Sequence, residues 1–235
     1  MTLQHVRLIA VNIDGVLLND SFSPVIHRFL TARGVPYTAE LEQALFSQPQ
    51  LAAARASGLA GSPEDVVKEY FREREDYLAE HPVHLLDGAV ELLETVRTLR
   101  TGEGAGLRMV CYGGLERTHF DRHLGFGTDY FDEPVYVCTN DFRPGLKEIA
   151  GDIFGVRLDQ ALFIDDVARV AEAARELGAA FIGIPSAREH SFQRQLMREA
   201  GVRHQVGSPA EVDGALLRAV DAEAAAGVVW RPVDA

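Results

Sequence analysis

The 235-residue chain is 47% hydrophobic and 25% charged, which is ordinary for a folded globular protein and long enough to bury a full core. A formal net charge of −12 excludes the broad basic face that a nucleic-acid binder needs to neutralise phosphates. No apolar run reaches the roughly 18 residues of a bilayer span, and no basic-then-apolar leader precedes the first strand pattern. The expectation is therefore a cytoplasmic protein with neither a nucleic-acid nor a membrane partner.

The first element is the apolar run Leu8 to Val11, which breaks into Asn12-Ile13-Asp14-Gly15. Such a run predicts a buried strand that delivers Asn12 and Asp14 at its carboxyl end, where open α/β sheets bind ligands. A polar turn at 15–23 leads into a long helical section, broken at Gly34, Pro36, Pro49 and Gly58 to Pro63. Ser62-Pro63-Glu64-Asp65 is a helix start, with a capping serine, proline at the first position and acids in the first turn. No strand pattern appears between residues 24 and 84, so residues 19–84 read as an inserted helical cap.

Alternation of helix and strand resumes at Asp87-Gly88. Val90, Leu92, Leu93, Val96 and Leu99 give an apolar helical face. A glycine-rich loop at 101–106 precedes a strand at 107–112, a helix from about Leu115 to Leu124 and a short strand at 135–138. Leu146, Ile149, Ala150 and Ile153 mark a further helix. The strand Ala161 to Ile164 ends in Asp165-Asp166, a helix runs on to Gly178, and another strand covers 181–185. A short strand near 204 and a last helix from Pro209 complete the pattern, and the tail after Gly227 reads as loosely held. This order predicts α/β architecture: a Rossmann-like parallel sheet core from residues 1–18 and 85–235, with the α-helical cap between them. Cys111 and Cys138 both lie in strand-like runs and are expected to be reduced core thiols.

If the strands are parallel, three of their ends converge. They bring Asn12 and Asp14, then Cys111-Tyr112-Gly113-Gly114, then Asp165-Asp166 to one sheet edge. Carboxylates from separate strands suit Mg²⁺, which prefers hard oxygen ligands. Gly113-Gly114 before a helix can bring backbone N–H groups up to a phosphate, and Tyr112 is placed to touch a ligand. Arg143 and Lys147 add positive charge from a fourth connection.

These residues resemble the haloacid dehalogenase-like (HAD) superfamily over nearly the whole chain. The resemblance rests on the Asp-x-Asp-Gly-type first motif, the cap inserted after it, the return Leu85-Leu86-Asp87-Gly88, and the paired acids after the third strand. It implies an aspartate nucleophile that forms an aspartyl-phosphate, a second aspartate as general acid/base, a phosphate-binding Ser or Thr, a Lys, and acids that hold Mg²⁺. Asp14 matches the acid/base, and Asp165 with Asp166 matches the metal-binding acids. Asn12 takes the nucleophile position and a place among the metal ligands. Cys111 falls at the Ser/Thr position, although a thiol is a poor donor to phosphate. Arg143 falls at the Lys position, with Lys147 one helical turn later as the other candidate.

A neutral amide is a weak nucleophile, so the covalent step loses its attacking group. Loss of one negative ligand also weakens the Mg²⁺ site. The resemblance thus implies a HAD-like protein whose phosphatase activity is lost or strongly reduced and which binds a phosphorylated small molecule or a protein partner. The alternative is a working Mg²⁺-dependent phosphatase carrying an Asp-to-Asn change at position 12; Cys111 and Arg143 weigh towards natural degeneracy.

Other features have plainer readings. Gly102 to Gly106 precedes a strand instead of following one, so it reads as a loop and not a dinucleotide fingerprint. His81 and His84 lack a third ligand and read as surface or hinge residues, and His5, His27, His119 and His123 have no evident partner. Phe126, Tyr130 and Phe131 read as packing aromatics. The run from Glu69 to Glu80, with Arg72 and Arg74, reads as a solvated helix face.

Overall fold

The computed structural model describes residues 2–102 and 106–231. Five strands form one parallel sheet: β2 (Leu8–Asn12), β4 (Arg108–Gly113), β5 (Tyr136–Cys138), β6 (Ala161–Asp165) and β7 (Ala180–Gly183), in the order β5-β4-β2-β6-β7. Every residue of β2 and β6 is buried, because helices cover both faces and a strand so placed must be apolar on both sides. Side chains alternate between the faces. Ile9, Val11, Met109, Cys111, Leu162 and Ile164 enter one core, while Leu8, Ala10, Val110, Tyr112 and Phe163 enter the other.

The site follows from this register. Asn12 pairs with Tyr112, and Val11 pairs with Ile164. Asn12, Tyr112 and Asp165 therefore stand side by side at the carboxyl end, on the face shared by Ala10, Val110 and Phe163.

After β2 the chain turns at Gly15, whose φ of +85° belongs to the left-handed region. It leaves the sheet beside its own return: Leu18 bridges Leu85, and the Asn19 N–H donates to the His84 carbonyl at 3.0 Å. Between these points lie only helices: α1 (Ser23–Thr31), α2 (Ala39–Leu45), α3 (Gln50–Ala56) and α4 (Pro63–Glu80). Asp20 starts α1 by accepting the N–H groups of Phe22 and Ser23 at 3.0 and 2.9 Å. Ser62 caps α4 by accepting from the Asp65 N–H, and Pro63 at the first position loses no hydrogen bond there. The insert is latched to the sheet domain through α2. The fully buried Glu42 carboxylate accepts from Gln193 Nε2 at 2.7 Å, the Phe192 N–H at 3.1 Å and Ser191 Oγ at 3.3 Å. Its neighbour Gln43 donates to Glu172 at 2.6 Å.

The remaining helices are α5 (Ala89–Thr98), α6 (Arg117–Leu124), α7 (Ala168–Leu177), α8 (Gln193–Glu199) and α9 (Gly214–Ala225). Two very short strands, β1 (Thr2–Leu3) and β3 (Arg100–Thr101), form a separate parallel pair. Asp221 of α9 fixes the turn after β1, accepting the N–H groups of Gln4, His5 and Val6 at 2.7, 2.9 and 2.7 Å. Among the described residues no helix is long and apolar enough to cross a membrane.

Several sequence expectations are corrected. Arg74 is not solvated: it is buried, lies over the Phe22 ring and donates to Ser21 Oγ at 2.7 Å. The helix expected around Leu146 to Ile153 is a π-helical turn over Glu148–Ile153, and Ile153 is exposed. Phe126 is also exposed and packs no core. The strand near 204 shrinks to one bridge, from Gly183 to Gln205. The tail is held as far as Trp230, whose indole N–H donates to the Ala179 carbonyl at 2.8 Å. Of the glycine-rich loop, residues 103–105 lie outside the described residues.

Candidate functional site

The three strand ends meet, and what joins them is a hydrogen-bond network centred on Asp165. Asn12 Nδ2 donates to Asp165 Oδ2 at 2.6 Å, and the Tyr112 hydroxyl donates to the same oxygen. The Val167 N–H donates to Asp165 Oδ1 at 2.8 Å. Asp165 is fully buried, and burial pushes its carboxyl up, while the donors from Tyr112, Asn12 and Val167 pull the other way. Burial likewise pushes the Tyr112 phenol well up, with Asp165 adding in the same direction. Asp166 is packed onto the turn beside it: a Cβ at Gly15 would stand 2.2 Å from Asp166 Oδ2. Burial, then the charge of Asp165, pushes the Asp166 carboxyl well above the usual carboxylate range.

Asp14 has a partner that the sequence did not reveal. His119 Nε2 lies 2.9 Å from Asp14 Oδ1, and both side chains are nearly buried. His119 comes from the first turns of α6, and its ring centroid is 4.9 Å from that of His123. Burial lowers the pKa of His123, and His119 lowers it further.

Above this floor and beneath the insert lies a cavity of about 180 Å³. Asn12, Asp14, Asp166, Gly114, Asn140 and Arg143 line the sheet side. The Arg143 guanidinium lies over Gly114, where a Cβ would stand 2.2 Å from its Nη2, so only glycine admits this approach. The insert side is mostly apolar, with Phe22, Phe29, Leu45, Phe46, Val66 and Phe71 among its members.

Asn12, Asp14, Asp166 and Arg143 thus share the cavity, while other expected site residues do not reach it. Cys111 is fully buried, with its thiol pushed well up by burial. The pleat that turns Tyr112 toward Asp165 necessarily turns Cys111 into the opposite core. Tyr112 serves Asp165 and does not line the cavity. Gly113 packs against Ile13 and Tyr136, leaving Gly114 as the glycine at the wall. Lys147 is exposed and away from the cavity, so Arg143 alone of the two basic candidates stands at the site.

The expected Mg²⁺ set, Asn12, Asp14, Asp165 and Asp166, does not fit a magnesium ion as arranged. Asn12 turns its N–H₂ toward Asp165 and leaves only a neutral amide oxygen, a weaker ligand than a carboxylate. Both Asp165 oxygens already accept hydrogen bonds, and Asp14 is engaged by His119. Mg²⁺ demands near-octahedral oxygen coordination, and among the described residues no group of three or more His, Cys, Asp or Glu side chains is placed to hold a metal.

No protein-family model matches the sequence, and no curated protein matches it. Solved structures do. A conserved haloacid dehalogenase-like protein from Agrobacterium tumefaciens is 20% identical with a TM-score of 0.60, covering 91% of this chain and 98% of that one. A HAD hydrolase of family IA, variant 3, from Entamoeba histolytica is 16% identical with a TM-score of 0.64, covering 92% of this chain and 100% of the other. A haloacid dehalogenase-like family hydrolase from Streptococcus pneumoniae is 18% identical with a TM-score of 0.58, covering 88% and 96%. With the five-stranded parallel sheet and its helical insert, these likenesses give the chain the haloacid dehalogenase-like hydrolase fold.

Proposed function

We propose that this protein binds a phosphate-bearing small molecule between the sheet edge and the helical insert, and does not turn it over through an aspartyl-phosphate. The observation that carries this reading is the 2.6 Å hydrogen bond from Asn12 Nδ2 to Asp165. The residue at the nucleophile position is neutral, and its nitrogen is committed to the carboxylate that would otherwise serve a metal. Nucleophilic catalysis needs an activated lone pair facing the substrate, and an amide nitrogen engaged as a donor supplies none. Arg143 and the Gly114 wall do not depend on residue 12, and an arginine at a glycine-lined sheet edge suits a phosphate.

The Tyr112 hydroxyl favours natural degeneracy over a trapped phosphatase. It shares Asp165 with Asn12 from the paired strand, so the surroundings complement the amide. A protein partner has no such support, and the ligand reading is preferred.

The test compares the parent chain with Asn12→Asp on a panel of phosphate monoesters, with and without Mg²⁺, alongside calorimetric titration with inorganic phosphate. The expected result is phosphate binding with no Mg²⁺-dependent turnover by the parent. Rapid Mg²⁺-dependent turnover by the parent would overturn the proposal, as would loss of phosphate binding at all accessible concentrations.

A further inference from the structure

The cavity is polar on one side and apolar on the other, and that asymmetry constrains its ligand. We infer that the ligand is a phosphate monoester of a ring-sized apolar alcohol or phenol, with its phosphate at Arg143 and its apolar body under the insert. This inference rests on the phosphate-binding reading above and names the class of molecule that reading leaves open.

Three observations carry it. First, the volume of about 180 Å³ is of the order that holds one ring, since a cavity of roughly 150 Å³ lined by apolar side chains accepts benzene. Second, polar groups on the insert side are largely engaged elsewhere. Ser57 Oγ donates to the Ala54 carbonyl at 2.7 Å, and the Gln48 amide oxygen, in its hydrogen-bonded orientation, accepts from Arg169 at 3.1 and 3.2 Å. Third, two polar groups on the cavity wall stand apart, and the second of them has no hydrogen-bond partner. Arg143 lies at the sheet edge, and the buried Tyr70 hydroxyl lies within the insert, its ring packed edge-on to Phe29 at 5.7 Å.

The Arg143 guanidinium, which makes no hydrogen bond or ion pair among the described residues, matches one anionic head group. The wall of Phe22, Phe29, Leu45, Phe46, Val66 and Phe71 matches an apolar body. The unpartnered Tyr70 hydroxyl accommodates one polar substituent on that body, not the ring of hydroxyls that a sugar presents. Each sugar hydroxyl left unpaired against this wall weakens binding by about tenfold.

The experiment titrates the intact parent chain with phenyl phosphate, inorganic phosphate, glucose 6-phosphate and phenol, by calorimetry and by thermal shift. Phenyl phosphate is expected to bind at least about tenfold more tightly than either inorganic phosphate or glucose 6-phosphate. Arg143→Met should weaken phenyl phosphate binding sharply, and Val67→Asn, on the insert wall, should weaken it by about tenfold. Glucose 6-phosphate binding as tightly as phenyl phosphate would overturn this inference and leave the phosphate reading intact. Phenol matching phenyl phosphate, with Arg143→Met without effect, would overturn the phosphate reading itself. Failure of every phosphate to bind would overturn both.

Discussion

His119 and Asp14 form a 2.9 Å contact across 105 residues of sequence, fastening helix α6 to the turn that leaves the central strand. Both side chains are only 11% exposed, so water replaces a lost partner poorly. His119→Phe should therefore lower the unfolding free energy by about 1–3 kcal/mol, the range for a largely buried polar group left unpaired. His119→Asn, which keeps a donor, should recover part of the loss. Urea unfolding of the two variants checks this, and equal midpoints would deny the contact any role.

Asn12→Asp places a second carboxylate where a 2.6 Å donor now meets Asp165. Two carboxylates at that distance cannot both be ionised in a buried site. The variant should lose about 1–3 kcal/mol of stability near neutral pH. Added Mg²⁺ should restore that stability only if the site retains metal affinity, so the thermal shift on adding Mg²⁺ reads out the latent metal site directly. A variant as stable as the parent without metal would count against the Asn12–Asp165 network.

Glu42 binds three donors from residues 191–193, and all of them lose their acceptor in Glu42→Ala. Loss of a buried charged acceptor should cost about 3 kcal/mol or more. Because α2 is the latch, amide exchange should quicken in residues 39–56 before the sheet strands respond. Uniform quickening across both parts would show that the insert does not loosen on its own.

His190 stacks on His27 with ring centroids 4.3 Å apart and lies 6.0 Å from the Tyr37 ring. Burial lowers its pKa below 6.5, with His27 and Arg188 adding to the effect and Asp20 opposing it. The unfolded chain therefore takes up this proton first as the pH falls, so stability declines through the ordinary histidine range and levels off below the folded value. Between about pH 7 and pH 5, His190→Gln should show a shallower fall in Tm than the parent. Parallel curves would exclude His190 as a source of the acid sensitivity.

The sheet was legible because its strands are buried on both faces and therefore appear as unbroken apolar runs. The polar residues ending those runs, Asn12, Asp14, Asp165 and Asp166, had to lie at one edge once the strands were parallel. Less visible was anything set by side-chain direction. Cys111 and Tyr112 are neighbours in sequence, yet the pleat sends one into the core and the other to Asp165. His119 carried no signal, since its partner is distant in sequence and nothing in its helix marks it. Arg74 looked like one charge in a solvated row; its burial depends on Phe22 lying beneath it from the turn that precedes α1. The apolar lining of the cavity was hidden for a related reason, because core-facing and cavity-facing apolar residues in a helix share the same period.

The carboxylate of Asp221 has a consequence for synthesis as well as for the finished fold. Its three backbone donors precede their acceptor by 215 to 217 residues. A nascent chain leaving the ribosome must carry residues 4–6 unsecured until α9 has emerged. Removal of α9 should accordingly leave the segment around residues 4–6 exposed to proteases, even where the middle of the sheet has already assembled.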